Sequence, residues 1–251
     1  MKPFSKPKCY FILVSLMTIV PALRAWPEPV DNRLFAALLK VHVHQGIVNY
    51  AGFKAQENVM DQYLAALSRI DPQALSRDDR FAFYINAYNA WTIKLILSAY
   101  PDITSIKELG NFFKGPWKKE IVTINGQTLT LDNIEHDILR PTFRDPRVHF
   151  AINCASKSCP PLASEPYDGQ RLNQQLEDAT LAFINNRREN YFKDGTLYVS
   201  MLFKWFPEDF NHDIVGFFCR YARDDLKRGL AAYRGTIAVK FLDYDWRLNG
   251  R

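Results

Sequence analysis

The sequence predicts an α+β fold, a helix-rich single domain with a small antiparallel sheet. Three observations predict it. Segments with apolar residues at helical spacing outnumber segments that alternate. Two β-prone pairs of runs are each split by a turn dipeptide, Asn125-Gly126 and Asp194-Gly195. The strands also lack the regular helix-strand alternation of a parallel α/β sheet.

Taken in order, Asp31 to Val41 carries Leu34, Phe35, Leu38 and Leu39, and Gln56 to Leu67 carries Met60, Tyr63, Leu64 and Leu67. Both read as amphipathic helices. Ser76, three residues before Asp79, is a capping box that opens the longest apolar helix, Phe81 to Tyr100, and Pro101 closes it. Ile121 to Thr130 folds back at Asn125-Gly126, where a type I′ turn needs positive φ. Asp132, with Glu135 three residues on, caps a short helix that Pro141 is expected to stop.

Val148, Phe150 and Ile152 alternate with His149, Ala151 and Asn153, the pattern of a strand, and Cys154 to Pro161 is the loop that leaves it. Leu172 to Asn186 is a further helix, Tyr191 to Val199 a second hairpin, Asn211 to Leu230 two shorter helices, and Ile237 to Asp245 a last strand.

The chain opens with Lys2, Lys6 and Lys8, then an apolar run from Tyr10 to Val20, then Pro21 and Ala22-Leu23-Arg24-Ala25. This is the layout of a cleavable secretory signal, with cleavage after Ala25. The apolar run falls well short of the ~20 residues that span a bilayer, so no stable membrane span is expected after cleavage. Residues 1–25 are therefore read as signal and 26–251 as the single domain, periplasmic or secreted. Losing Lys2, Lys6, Lys8 and Arg24 leaves 28 bases against 27 acids. A near-neutral mature chain gives no electrostatic reason to expect nucleic acid as a partner.

Export also bears on the cysteines. Cys154, Cys159 and Cys219 remain, an odd number in a compartment where disulfides persist. Four residues separate Cys154 from Cys159, enough to close a disulfide loop. The alternative is a reactive thiol, since on a strand His149 and Asn153 would share a face beside the cysteine loop. An imidazole that reaches a cysteine favours the nucleophilic thiolate.

Other polar residues stand as candidates. Asn86 and Asn89 lie one turn apart on the apolar helix, able to orient a catalytic histidine or to tie the helix to a neighbouring loop. Glu135 has a capping duty, whereas His136 has none and is a second candidate base. His42 and His44 alternate, so on an extended segment both would face one way as a metal pair, but no cysteine or third histidine lies nearby in sequence, and neither metal nor cofactor is expected.

Five motifs carry a resemblance: Phe83-Tyr84-Ile85-Asn86-Ala87-Tyr88-Asn89-Ala90; Leu131 to His136; Asp145 to Ala151; Cys154 with Ser158-Cys159-Pro160; and Tyr244-Asp245-Trp246-Arg247-Leu248-Asn249. Together they resemble the domain of unknown function 547 family, from about Val48 to the end, in an exported bacterial form. More distantly, the chain is similar to the papain-like and transglutaminase-like hydrolase superfold. The resemblance implies a nucleophilic cysteine opening a central helix and a histidine on a following strand. Here the central helix offers Asn86 and Asn89 instead, and both cysteines follow the histidine.

Two functions are expected from these readings. One is a thiol-dependent hydrolase or acyl transferase on peptide or cell-envelope material, with Cys154 or Cys159 as nucleophile, His149 as base and Asn86, Asn89 or Glu135 orienting. The other is a non-catalytic binding or scaffold protein held by a Cys154–Cys159 disulfide.

Overall fold

A computed structural model describes residues 30–111 and 114–250, so the proposed signal segment lies outside the described residues. The class is α+β as expected, helix-rich with small antiparallel sheets. Among the described residues, no helix is long and apolar enough to cross a membrane.

The helices are α1 (Arg33–His42), α2 (Tyr50–Ala55), α3 (Glu57–Leu67), α4 (Arg77–Leu97), α5 (Arg140–Phe143), α6 (Leu172–Ile184), α7 (Leu202–Trp205), α8 (Ile214–Tyr221) and α9 (Asp224–Ala232). Helix α4 is the buried axis. Ser76 caps it, its hydroxyl accepting from the Asp79 amide at 3.2 Å and donating to the Asp79 carboxylate at 2.6 Å. From Phe81 to Leu97 nearly every side chain is buried, because α2 and α3 pack on it, as does the segment around Glu135.

Strands β1 (Val43–His44) and β2 (Ile47–Val48) make a minimal ribbon, and β3 (Val122–Ile124) pairs with β4 (Gln127–Leu129). Strands β5 (Tyr191–Lys193) and β6 (Thr196–Val199) form the second hairpin, to which β7 (Ala238–Phe241) adds in parallel. Both expected turns are present, with Asn125 and Gly126 at φ 48° and 71° and Asp194 and Gly195 at 48° and 75°. Those positive angles are the I′ signature that Asn-Gly and Asp-Gly tolerate.

Four local expectations are corrected. Residues 148–152 are not a strand: Pro146–Phe150 is a 3₁₀ helix, because Asp145 accepts the Arg147 amide at 3.0 Å and Pro146 sits at the first helical position. An Asx cap followed by proline starts a helical turn, and it overrides a two-residue alternation of this length. Pro141 does not stop its helix either. Asn133–Leu139 is a π-helix, with Arg140 N–H reaching back five residues to the Glu135 carbonyl, and it runs directly into α5, where Pro141 occupies the first turn.

Nor is Asp132 the cap of that segment. Thr130 and Asn133 cap it reciprocally: the Thr130 hydroxyl accepts the Asn133 amide at 3.0 Å, and the Asn133 side chain accepts the Thr130 amide at 3.0 Å. Finally, His42 and His44 do not face one way. His42 ends α1, buried with Nε2 2.7 Å from the Gln56 side-chain oxygen, while His44 is exposed in β1.

Two apolar clusters organise the chain. The larger gathers α1 to α4, the π-helix and the first half of α6, and the smaller gathers Phe150, the end of α6, β6, α7 and α8. Phe150 belongs to the second cluster and Ala151 to the first, so the segment from His149 to Cys154 runs along their seam. The C-terminal segment lies across the same place. Lys157 N–H donates to the Arg247 carbonyl, Asn249 N–H to the Ala155 carbonyl, and Gly250 bridges Val48.

Candidate active site

At the seam is a cavity of about 180 Å³ bordered by Glu135, His136, His149, Cys154 and Cys159, with Tyr88, Asp132, Phe206 and Tyr244 among its other walls. A larger cavity of about 460 Å³ lies behind Asp209, between Arg140, Arg144 and Asn211, but neither thiol borders it. The chemistry therefore concentrates in the smaller one.

His149 leaves the 3₁₀ turn with its side chain 1% exposed, stacked on Phe206 at 4.3 Å between ring centres. Its Nε2 lies 2.6 Å from Oδ2 of Asp209. The same carboxylate oxygen accepts Nε of Arg140 at 2.5 Å, and the Arg140 guanidinium sits 4.7 Å above the Phe206 ring. Nδ1 of His149 has no hydrogen-bond partner among the described residues. Burial pushes this imidazole below the ordinary histidine value, with Asp209 pulling the other way, so the neutral base is the resting form. Asp209 itself is held down to about 2: burial opposes its charge, and the bonds from His149 and Arg140 outweigh burial.

The two cysteines are unbonded thiols. Cys154 is half-buried, with Sγ 3.0 Å from the Ser156 hydroxyl and 3.1 Å from the Tyr244 hydroxyl. Cys159 is more deeply buried, and its sulfur accepts the Cys154 backbone N–H at 2.8 Å. Burial disfavours ionising Cys154, but hydrogen bonds from Cys159, Ser156 and Tyr244 bring its thiol below the ordinary cysteine value. Burial and the neighbouring Cys154 push the Cys159 thiol well up. Of the pair, Cys154 ionises first.

Glu135, released from capping, turns toward Tyr88 and the cavity. Burial raises its carboxyl above the ordinary value, with His136, Tyr88 and Arg140 opposing and Asp132 adding to the rise. His136 is exposed at the rim, its Nδ1 3.1 Å from Nη1 of Arg140.

Asn86 and Asn89 do not enter the cavity. Asn86 donates to the Tyr167 carbonyl and accepts the Tyr167 amide, both at 2.8 Å. Asn89 does the same with the Ala151 carbonyl at 2.9 Å and the Asn153 amide at 2.8 Å. Each mimics a strand partner for a loop: Asn89 supports the His149–Cys154 segment, and Asn86 supports the loop at Tyr167. Asn153 continues this role: it donates to the Pro160 carbonyl at 2.7 Å and accepts the Ala155 amide at 2.9 Å, holding the cysteine loop closed.

The arrangement defines a thiol site in a helix-rich α+β protein, with a carboxylate-held imidazole in the same cavity. Residues 72–184 match the family described as "Protein of unknown function, DUF547". Four of the five motifs lie inside the match, whereas Tyr244 to Asn249 lies beyond it. Searches of curated proteins and of solved structures return no match.

Sequence reasoning missed Asp209 and Arg140. Phe206-Pro207-Glu208-Asp209-Phe210 does contain a local signal, a proline-initiated turn with an acid between aromatics. Nothing in it names His149, 60 residues away, as the partner.

Proposed function

We propose that the protein is an exported thiol-dependent hydrolase or acyl transferase that acts on peptide or cell-envelope material, with Cys154 as nucleophile, His149 as base and Asp209 holding the imidazole. The observation that carries this reading is one cavity bordered by both the more acidic thiol and a neutral histidine whose Nε2 is bound to a carboxylate. Export rests on the leader pattern of residues 1–25.

In the proposed reaction, Nδ1 of His149 accepts the thiol proton and the Cys154 thiolate adds to the acyl carbon. The carbonyl re-forms as the leaving amine departs with the proton that His149 carried, which leaves a thioester on Cys154. Water, or a second amine, gives a proton to His149, attacks the thioester and returns the thiol. Glu135, with its raised affinity for a proton, is available as a second proton donor at the cavity wall.

Cys154 should be alkylated by iodoacetamide in the native unreduced protein, faster than Cys159, and the acyl-transfer activity should vanish in Cys154→Ser. His149→Ala should lower the rate by about 10²–10⁴-fold. Failure to label either thiol would sink the catalytic reading.

One contact favours a second reading, a binding or scaffold protein with a structural disulfide. The Cys154 N–H to Cys159 sulfur bond makes the two side chains neighbours. This reading expects the isolated protein to be about 2 Da lighter than its reduced form.

A further inference from the structure

The aromatic wall of the cavity and the one carboxylate on it that has no partner say which substrates would fit. Trp246 lies at the centre of that wall. Its ring is 4.5 Å from Tyr244, 5.6 Å from Trp205 and 5.7 Å from Trp117, and all four rings border the cavity. Lys107 Nζ is 5.0 Å from the Trp246 ring centre, so this surface already accepts one ammonium from the protein's own side chains.

Charge points the same way. Among the described residues that border the cavity there are two carboxyl groups, Asp132 and Glu135, and no lysine or arginine. Glu135 is committed to Tyr88 and is held toward its protonated form. Asp132 is half-buried, is not used as a cap, and makes neither a hydrogen bond nor an ion pair among the described residues. A partly desolvated carboxylate that shares a cavity with electron-rich rings repels anions from it, and a cation supplies the partner the carboxylate lacks.

Resting on the thiol-site reading above, we infer that the substrate carries a primary amine, as a lysine-like ammonium, which Asp132 and the Trp246 wall hold while its acyl group faces Cys154. Stacking alone would equally suit a neutral sugar. The unpaired carboxylate, with no counter-cation lining the cavity, is what favours the ammonium.

The test is a binding measurement that needs no turnover: quenching of tryptophan fluorescence in the full mature protein by Nα-acetyl-lysine amide, Nα-acetyl-norleucine amide and a chitin trisaccharide. The lysine probe should bind at least about tenfold more tightly than the norleucine probe, which keeps the aliphatic chain and lacks the charge. Asp132→Asn should erase that preference, and Trp246→Leu should weaken the lysine probe about tenfold. Equal affinity for the two amides overturns the inference, as does lysine affinity unchanged in Asp132→Asn, trisaccharide binding alone, or no binding of the lysine probe. The comparison of the two amides uses the unsubstituted protein, so it stands even where a variant folds poorly. Failure here leaves Cys154 alkylation unaffected, and an unreactive Cys154 with the lysine preference intact would make the cavity an amine-binding site without the proposed chemistry.

Discussion

His149 illustrates how a side chain acquires its chemistry from what surrounds it. Alone, an imidazole titrates near neutrality; buried against Phe206, it resists the charged form, and Asp209 restores part of that loss. The acid limb of kcat/KM should therefore lie below the ordinary histidine value of about 6.5. Asp209→Asn removes the influence that raises the imidazole, so the limb should move to still lower pH while the rate on its plateau falls because the ring loses its anchor. A limb that stayed in place would mean that Asp209 does not act on His149. The stability consequence has its own sign. A histidine depressed in the folded state takes up more protons when unfolded, so stability declines as pH falls below about 6.5 and levels off beneath the folded value.

At the scale of elements, the site depends on one departure from regular helix and on one regular helix that stands in for a sheet. The π-helix Asn133–Leu139 carries Glu135 and His136 along the cavity, and it exists where Thr130 and Asn133 satisfy its first turn. Helix α4 is regular, and its work is done by two amides that substitute for a sheet. Asn89→Ala would leave the Ala151 carbonyl and Asn153 amide without their buried partner, each costing about 1–3 kcal/mol. Urea unfolding should report that loss, and the rate of Cys154 alkylation should change with it, because the segment freed is the one leading into the cysteine loop. A loss of stability with alkylation unchanged would assign Asn89 to the fold alone.

Across the whole molecule, the C-terminal segment makes the site a property of segments far apart in sequence. Tyr244 touches the Cys154 sulfur, Asn249 binds both Asn153 and the Tyr50 hydroxyl, and Gly250 passes so close to Val48 that a Cβ there would fall 1.8 Å from the Val48 carbonyl oxygen. Gly250→Ala must therefore displace this segment. The expected outcome is a Cys154 thiol that ionises at higher pH, read from the pH dependence of its alkylation, with the chain still folded by circular dichroism. An unchanged titration would show that Tyr244 stays in place without the Gly250 contact.

Much of this was legible locally. The Asn-Gly and Asp-Gly turns, the Ser76 cap and the periodicity of α1, α3, α4 and α6 are each decided by residues a few positions apart, and those elements form where the sequence places them. At His149 the apolar alternation and Asp145-Pro146 point to different structures, and the Asx cap with its proline prevails. Glu135 was assigned to a cap because Asp132 stood at the right spacing, whereas the neighbouring Thr130–Asn133 pair took that role.

By itself, then, the sequence determined the α+β class, the principal helices and turns, and the family match over residues 72–184. Tertiary structure alone decided that Asp209 holds His149, that Tyr244 reaches Cys154, that Asn86 and Asn89 support loops, and that Asp132 borders the same cavity as the aromatic wall. The physical reason is range: caps and turns are satisfied within a few residues, while a buried charge or thiol takes its character from groups that packing brings to it from distant parts of the chain.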